Sequence, residues 1–124
     1  MYKYYNPNPI AARVGDCVIR AISFVTNQSW VKTYIDLCIY GIMNCDLPSS
    51  NNVWGRYLRD KGFRRYIIPD TCPICYTVEQ FSNDHPAGTY LLALNGHVVA
   101  VQDGIIYDTW DCSGESPVYY WVKE

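Results

Sequence analysis

Gly15-Asp16-Cys17-Val18-Ile19-Arg20-Ala21-Ile22 reads as a tight turn feeding the first turn of a buried helix. Gly15 permits the turn, and Asp16 is a favoured N-cap residue. Val18, Ala21, Ile22 and Val25 recur at helical spacing, so one face of the helix is apolar. Cys17 therefore sits at or beside the first helical position. Unpaired backbone N–H groups and the positive end of the helix dipole favour a thiolate there. The thiolate is the reactive form of cysteine. The plainer reading is a small buried cysteine, because free Cys packs like a hydrophobe. A base elsewhere in the chain is what decides between the two.

The chain has 124 residues, enough for one domain around a single core. At 49% hydrophobic and 15% aromatic it is not disordered, and its twelve tyrosines and four tryptophans supply core area. A net charge of -2 with no basic run argues against a nucleic-acid or membrane-surface binder. No apolar stretch spans a bilayer, and Met1 to Pro7 has no signal-peptide core, so the expected location is the cytoplasm. Without an export signal the six cysteines are not expected to form a disulfide framework. Cys38 and Cys45 are expected to pack. Cys72-Pro73-Ile74-Cys75 is a lone C-x-x-C that lacks a second pair for zinc, and no strand leads into a helix there as a redox motif requires.

Working outward, Tyr2 to Val14 reads as extended and irregular, with prolines at 7 and 9. The cysteine helix is expected from about Cys17 to Thr26 and to be the most buried of the helices. Ser29 caps a second helix that sets Trp30, Tyr34, Leu37, Cys38 and Ile42 on one side. A third helix follows from Val53 to Lys61, stopped by Gly62. The periodicity then changes. Phe63 to Ile68 is a strand, and Thr77-Val78-Glu79-Gln80 is a capping box for a short helix to about Asn83. Thr89–Leu94, Val98–Gln102 and Ile105–Thr109 are strands joined by Asn95-Gly96 and Asp103-Gly104, both strong hairpin signals. Val118–Val122 is a last strand. Helices first and an antiparallel meander after them make an α+β chain, with the helices on one side of a twisted sheet.

His97 opens a strand directly after the Asn95-Gly96 turn, exposed enough to take a proton and held enough to aim. Asp108 lies on the next strand. If Asp103-Gly104 is a two-residue turn, Gln102 pairs with Ile105, Ala100 with Tyr107 and Val99 with Asp108. His97 then faces Trp110, and a bulge, a longer loop or a neighbouring strand is needed to bring Asp108 to it. An acceptor at His97 Nδ1 would fix the tautomer and support the imidazolium. Asp111 is the rival for that task.

Taken together, Gly15-Asp16-Cys17-Val18-Ile19-Arg20-Ala21, Gly96-His97-Val98-Val99-Ala100-Val101 and Gly104-Ile105-Ile106-Tyr107-Asp108-Thr109 resemble the papain-like cysteine peptidase superfamily. The likeness is greatest to its small, single-domain members from bacteria and phages, and it covers nearly the whole chain in order. The resemblance implies a papain-like α+β domain spanning 1–124, with Cys17 as nucleophile, His97 as general base and acid, and Asp108 as the residue that orients the imidazole. It departs from the family in one place. No glutamine precedes Cys17, and Asn8 (or Asn6) on the extended N-terminal segment is the candidate side-chain donor to an oxyanion. Asp111-Cys112-Ser113-Gly114 matches the nucleophile motif of NlpC-type cell-wall peptidases, but no histidine follows it, so Cys112 reads as structural or incidental.

The expected function is a cysteine hydrolase acting on an amide, isopeptide or related acyl bond of a protein or peptide. No cofactor, metal, nucleic acid or membrane is implied. A phage-encoded enzyme of this kind would work in the host cytoplasm. Two alternatives stand beside it. One is a CHAP-like cell-wall amidase, since Gly96 to Val101 also resembles the histidine strand of that group. The other is an inactive binding protein on the same fold that blocks a host factor. The oligomeric state is not legible.

Overall fold

The computed structural model describes residues 1–124. In chain order the elements are β1 (Tyr2–Tyr4), α1 (Cys17–Val25), α2 (Trp30–Met43), α3 (Asn51–Asp60), β2 (Phe63–Ile67), α4 (Val78–Asp84), β3 (Thr89–Leu94), β4 (His97–Gln102), β5 (Ile105–Asp108) and β6 (Pro117–Lys123). The α+β class expected from the sequence is the class observed. No helix is long and apolar enough to cross a membrane.

Local signals set most boundaries. α1 stops where Asn27 takes a positive φ of 54°, a conformation asparagine tolerates, and its amide turns back to the Phe24 carbonyl. Ser29 accepts from the Lys32 amide to start α2. Gly62, at φ 93°, ends α3. Thr77 and Gln80 make both hydrogen bonds of a capping box on α4. Thr77→Ala is therefore expected to cost about 1 kcal/mol of stability in a urea titration. A change below about 0.3 kcal/mol would show that the cap is not holding α4.

The six strands form one sheet in the order β1-β5-β4-β3-β6-β2. β5, β4, β3, β6 and β2 pair antiparallel, β6 pairing with both β3 and β2. β1 adds in parallel beside β5, with Tyr4 opposite Asp108. The expectation of an irregular N-terminal segment missed this strand. Three residues carry too little alternation to mark one, and the pairing is with a partner about a hundred residues away.

Alternation along the strands divides the core in two. On one face Leu91, Ala93, Val98, Ala100 and Trp121 pack against Ile22 of α1, Leu37 of α2, and Trp54, Tyr57 and Leu58 of α3. On the other, Leu92, Val99, Val101 and Ile106 pack with Val78 and Phe81 of α4 and with Cys112. The helices therefore do not all lie on one side, because α4 covers the opposite face. Nor is α1 the most buried. Four of its residues are buried, Arg20 to Ser23, whereas α3 buries Val53, Trp54, Gly55, Tyr57 and Leu58.

α2 also differs from expectation. Its buried residues are Thr33, Leu37 and Gly41, while Ile42 and Tyr34 are exposed along with Val31, Ile35, Ile39 and Met43. The helix is apolar around much of its girth, so periodicity alone picks no face. Close approach decides it. A Cβ on Gly41 would stand 2.8 Å from the Asp46 carbonyl oxygen, so only glycine lets the 44–48 turn fold back there.

Candidate active site

The N-terminus of α1 points its first residue at the end of the sheet. Cys17 is half-buried and lines one cavity with His97 and Val98, whose ring and backbone amide act on its thiol. The amides of the first helical turn have no partner within the helix. Asp16 occupies the N-cap position, but its carboxylate makes no capping bond. That is a correction, with a clear physical reason: both its oxygens are engaged elsewhere. Oδ1 accepts from Arg20 Nη1 at 2.5 Å and Oδ2 from Trp30 Nε1 at 2.9 Å.

His97 begins β4 and Asp108 ends β5. Their side chains meet, Nε2 to Oδ2, at 2.5 Å. The register is the simple one, with Ala100 opposite Tyr107 and Gln102 opposite Ile105. Neither a bulge nor a longer loop is needed. Continued by one residue, this register sets Val99 beside Asp108. His97 is then the diagonal neighbour two residues along on the same face, within reach of a long side chain. The sequence reading considered only directly opposed pairs. The contacting nitrogen is also Nε2 rather than Nδ1. Trp110, expected opposite His97, lies against its ring with centroids 5.0 Å apart.

Asp108 is 1% exposed and fully occupied. Oδ1 accepts from Arg20 Nη2 at 2.8 Å and from the Thr109 amide at 2.7 Å, while Oδ2 faces His97. Burial alone would raise its pKa. The hydrogen bond and charge of His97, the Thr109 amide and Arg20 outweigh burial and hold it below the ordinary carboxylate range. Burial would likewise lower His97, but bonds with Asp108, Cys112 and Cys17 raise it to about 11. Burial pushes the Cys17 thiol up, and His97, the Val98 amide and the Arg20 charge bring it below its ordinary value. A lowered thiol and a raised imidazole are the directions that favour a Cys17 thiolate beside a His97 imidazolium.

Asp111 is not brought to this site. It is exposed, and its carboxylate accepts from the Ser113 amide. Asn8 is not brought there either. Its side-chain oxygen accepts from the amides of Ile10 and Ala12 and shapes the 8–12 turn. Cys112 is fully buried, and its sulfur lies within 4.8 Å of the facing His97 and Asp108 atoms, so it belongs to the site's wall and is not incidental. These three are the donors nearest to a metal-binding set. The carboxylate is already satisfied by N–H donors, which suits a hydrogen-bonded base better than a cation site. Cys45, expected to pack, is exposed. Cys72 and Cys75, not expected to be bridged, are joined in a disulfide within the loop before α4.

Cys17 and His97 open onto a cavity of about 810 Å³. Gly15, Gly96, Tyr34, Trp54 and Tyr119 are among the residues that line it. It is large enough for several residues of an extended chain or a small ligand. Arg20 and Trp30, which tie the site together, were missed by sequence reasoning. The available signal was the i,i+4 spacing of Asp16 and Arg20 around Cys17. Comparison with family models, with curated proteins and with solved structures finds no match.

Proposed function

We propose that this chain is a cysteine hydrolase of the papain-like kind, cleaving an amide, isopeptide or related acyl bond. One observation carries the reading. His97 is bonded through Nε2 to the buried Asp108 carboxylate and lines, with Cys17, a cavity that a substrate can enter. The Cys17 sulfur attacks the acyl carbon, and the imidazolium of His97 gives its proton to the leaving amine. A water then gives a proton to the neutral imidazole as it attacks the thioester, and Cys17 leaves. The free amides at the start of α1 serve as donors to the oxygen that becomes negative.

A peptide bearing an electrophilic carbonyl or vinyl sulfone is the direct test. Stoichiometric labelling mapped to Cys17 is the expected result, with none in Cys17→Ala. The exposed apolar stripe of α2, from Val31 to Met43, favours a second reading, an inactive binding protein on the same fold. That reading takes over if the probe labels Cys45 and leaves Cys17 untouched.

A further inference from the structure

We infer that Arg20 is a positioning residue of the cysteine site, clamping Asp16 and Asp108 together so that the helix bearing Cys17 also fixes the carboxylate that aims His97. The inference rests on the hydrolase reading above, and it assigns a task to a residue which that reading does not use.

Arg20 is 6% exposed, and its two terminal nitrogens serve two different carboxylates. Nη1 donates to Asp16 at 2.5 Å and Nη2 to Asp108 at 2.8 Å. A planar, permanently charged fork does this with two separate nitrogens in fixed geometry, which a single ammonium nitrogen lacks. Asp16 is held from its other side by the Trp30 indole at the start of α2. The chain of contacts therefore runs Trp30, Asp16, Arg20, Asp108, His97, Cys17 and closes on itself, because Asp16, Cys17 and Arg20 share the first turns of α1.

The geometry has a chemical consequence. β5 is four residues long, and Asp108 is its last. A carboxylate at a strand end is free to swing unless something holds it. Arg20 and the Thr109 amide both take Oδ1, which leaves Oδ2 directed at His97. The charged and titratable groups facing this cluster are Asp16 and Arg20 from α1, His97 from β4, Asp108 from β5, Cys112 beyond it, and Tyr2 and Tyr5 from the N-terminal segment. Arg20 is the permanent cation among them, so its removal withdraws positive charge from the Cys17 thiolate as well.

The test compares Arg20→Gln and Arg20→Lys with the unaltered chain. Three readouts are followed: the pH profile of Cys17 alkylation by iodoacetamide, the downfield proton resonance of the His97–Asp108 bond, and urea unfolding. Arg20→Gln is expected to move the acid limb of the profile to higher pH, to slow alkylation at pH 6 by about tenfold, and to shift or broaden the downfield proton. Arg20→Lys keeps the charge but not the fork, and it should fall between. Trp30→Phe removes the indole N–H on Asp16, together with part of the ring that lies against Tyr34. It should move the same readouts in the same direction by less, and it serves where Arg20→Gln does not fold. Lowered stability with an unmoved acid limb and an unmoved proton resonance would make Arg20 merely structural and overturn the inference. If the unaltered chain shows no activated Cys17 at all, the hydrolase reading itself has failed, a different result.

Discussion

Iodoacetamide at pH 6 is expected to modify Cys17 before any other free thiol, at least about tenfold faster than the exposed Cys45. The comparison is demanding, since access favours Cys45. Charge state favours Cys17. A thiol of ordinary pKa, near 8.5, holds under about 1% thiolate at pH 6. Cys17 lies below its ordinary value through its bonds with His97 and the Val98 amide. A more stable thiolate is a weaker nucleophile, with a Brønsted slope of about 0.4–0.5, so roughly half of the logarithmic gain survives. His97→Ala removes both a hydrogen bond and the nearest positive charge, so the acid limb should rise and the rate at pH 6 should fall by about tenfold or more. Cys17→Ala should abolish labelling at that position with the fold intact. Peptide mapping by mass spectrometry reads all three. Faster modification of Cys45, or a silent His97→Ala, would remove the basis for a cysteine enzyme.

The second large effect is on stability. Asp108→Ala leaves the buried Arg20 and the partly buried His97 imidazolium facing an apolar methyl group. Breaking a buried ion pair from one side costs about 3–5 kcal/mol. A domain has only about 5–15 kcal/mol in total, so the midpoint of a urea titration should fall sharply. Asp108→Asn keeps one acceptor oxygen and should be milder in both stability and Cys17 reactivity. Asp111→Ala, at an exposed turn, should stay within about 0.5 kcal/mol.

The pH dependence follows from the same pair. Asp108 is depressed in the folded chain, so its contribution is present above the ordinary carboxylate pKa, near 4, and is lost as pH falls. His97 is raised to about 11, so its contribution is full below about 6.5 and fades as pH rises through the folded value. Stability should therefore be greatest between about pH 4 and 6.5, where both contributions are full, and should decline as pH rises above it, and this maximum should vanish in Asp108→Ala. An Asp108→Ala chain within about 1 kcal/mol of the original would show that the carboxylate is not a buried hub.

Much of this arrangement is legible in the amino-acid sequence. Asn95-Gly96 and Asp103-Gly104 located the hairpins, Thr77 and Gln80 the capping box, and His97 and Asp108 a pair of side chains that do meet. What escaped has a common cause. Short-range pattern carries no information about diagonal neighbours, so the His97–Asp108 contact looked one pair too far. It cannot say that a carboxylate at an N-cap is drawn away by an arginine one turn later, as at Asp16. Nor can it choose the inward face of a helix as uniformly apolar as α2, where the deciding residue is the small Gly41. β1 escaped because three residues have no period to read.

Both hairpin turns in the meander are two residues long and lock β3, β4 and β5 in register. Alternation makes that length a matter of parity. A one-residue slip of β4 against its neighbours would send His97 to the opposite face of the sheet, and with it Val99 and Val101, exchanging them for Val98 and Ala100. Site and core would fail in the same event. A two-residue slip would restore the faces but slide His97 past Asp108. The stretch from 97 to 108 can therefore drift in side chains far more freely than in length. Among chains descended from a common ancestor with this one, gaps should gather in the 44–50 and 69–77 loops and be missing between the histidine and the aspartate.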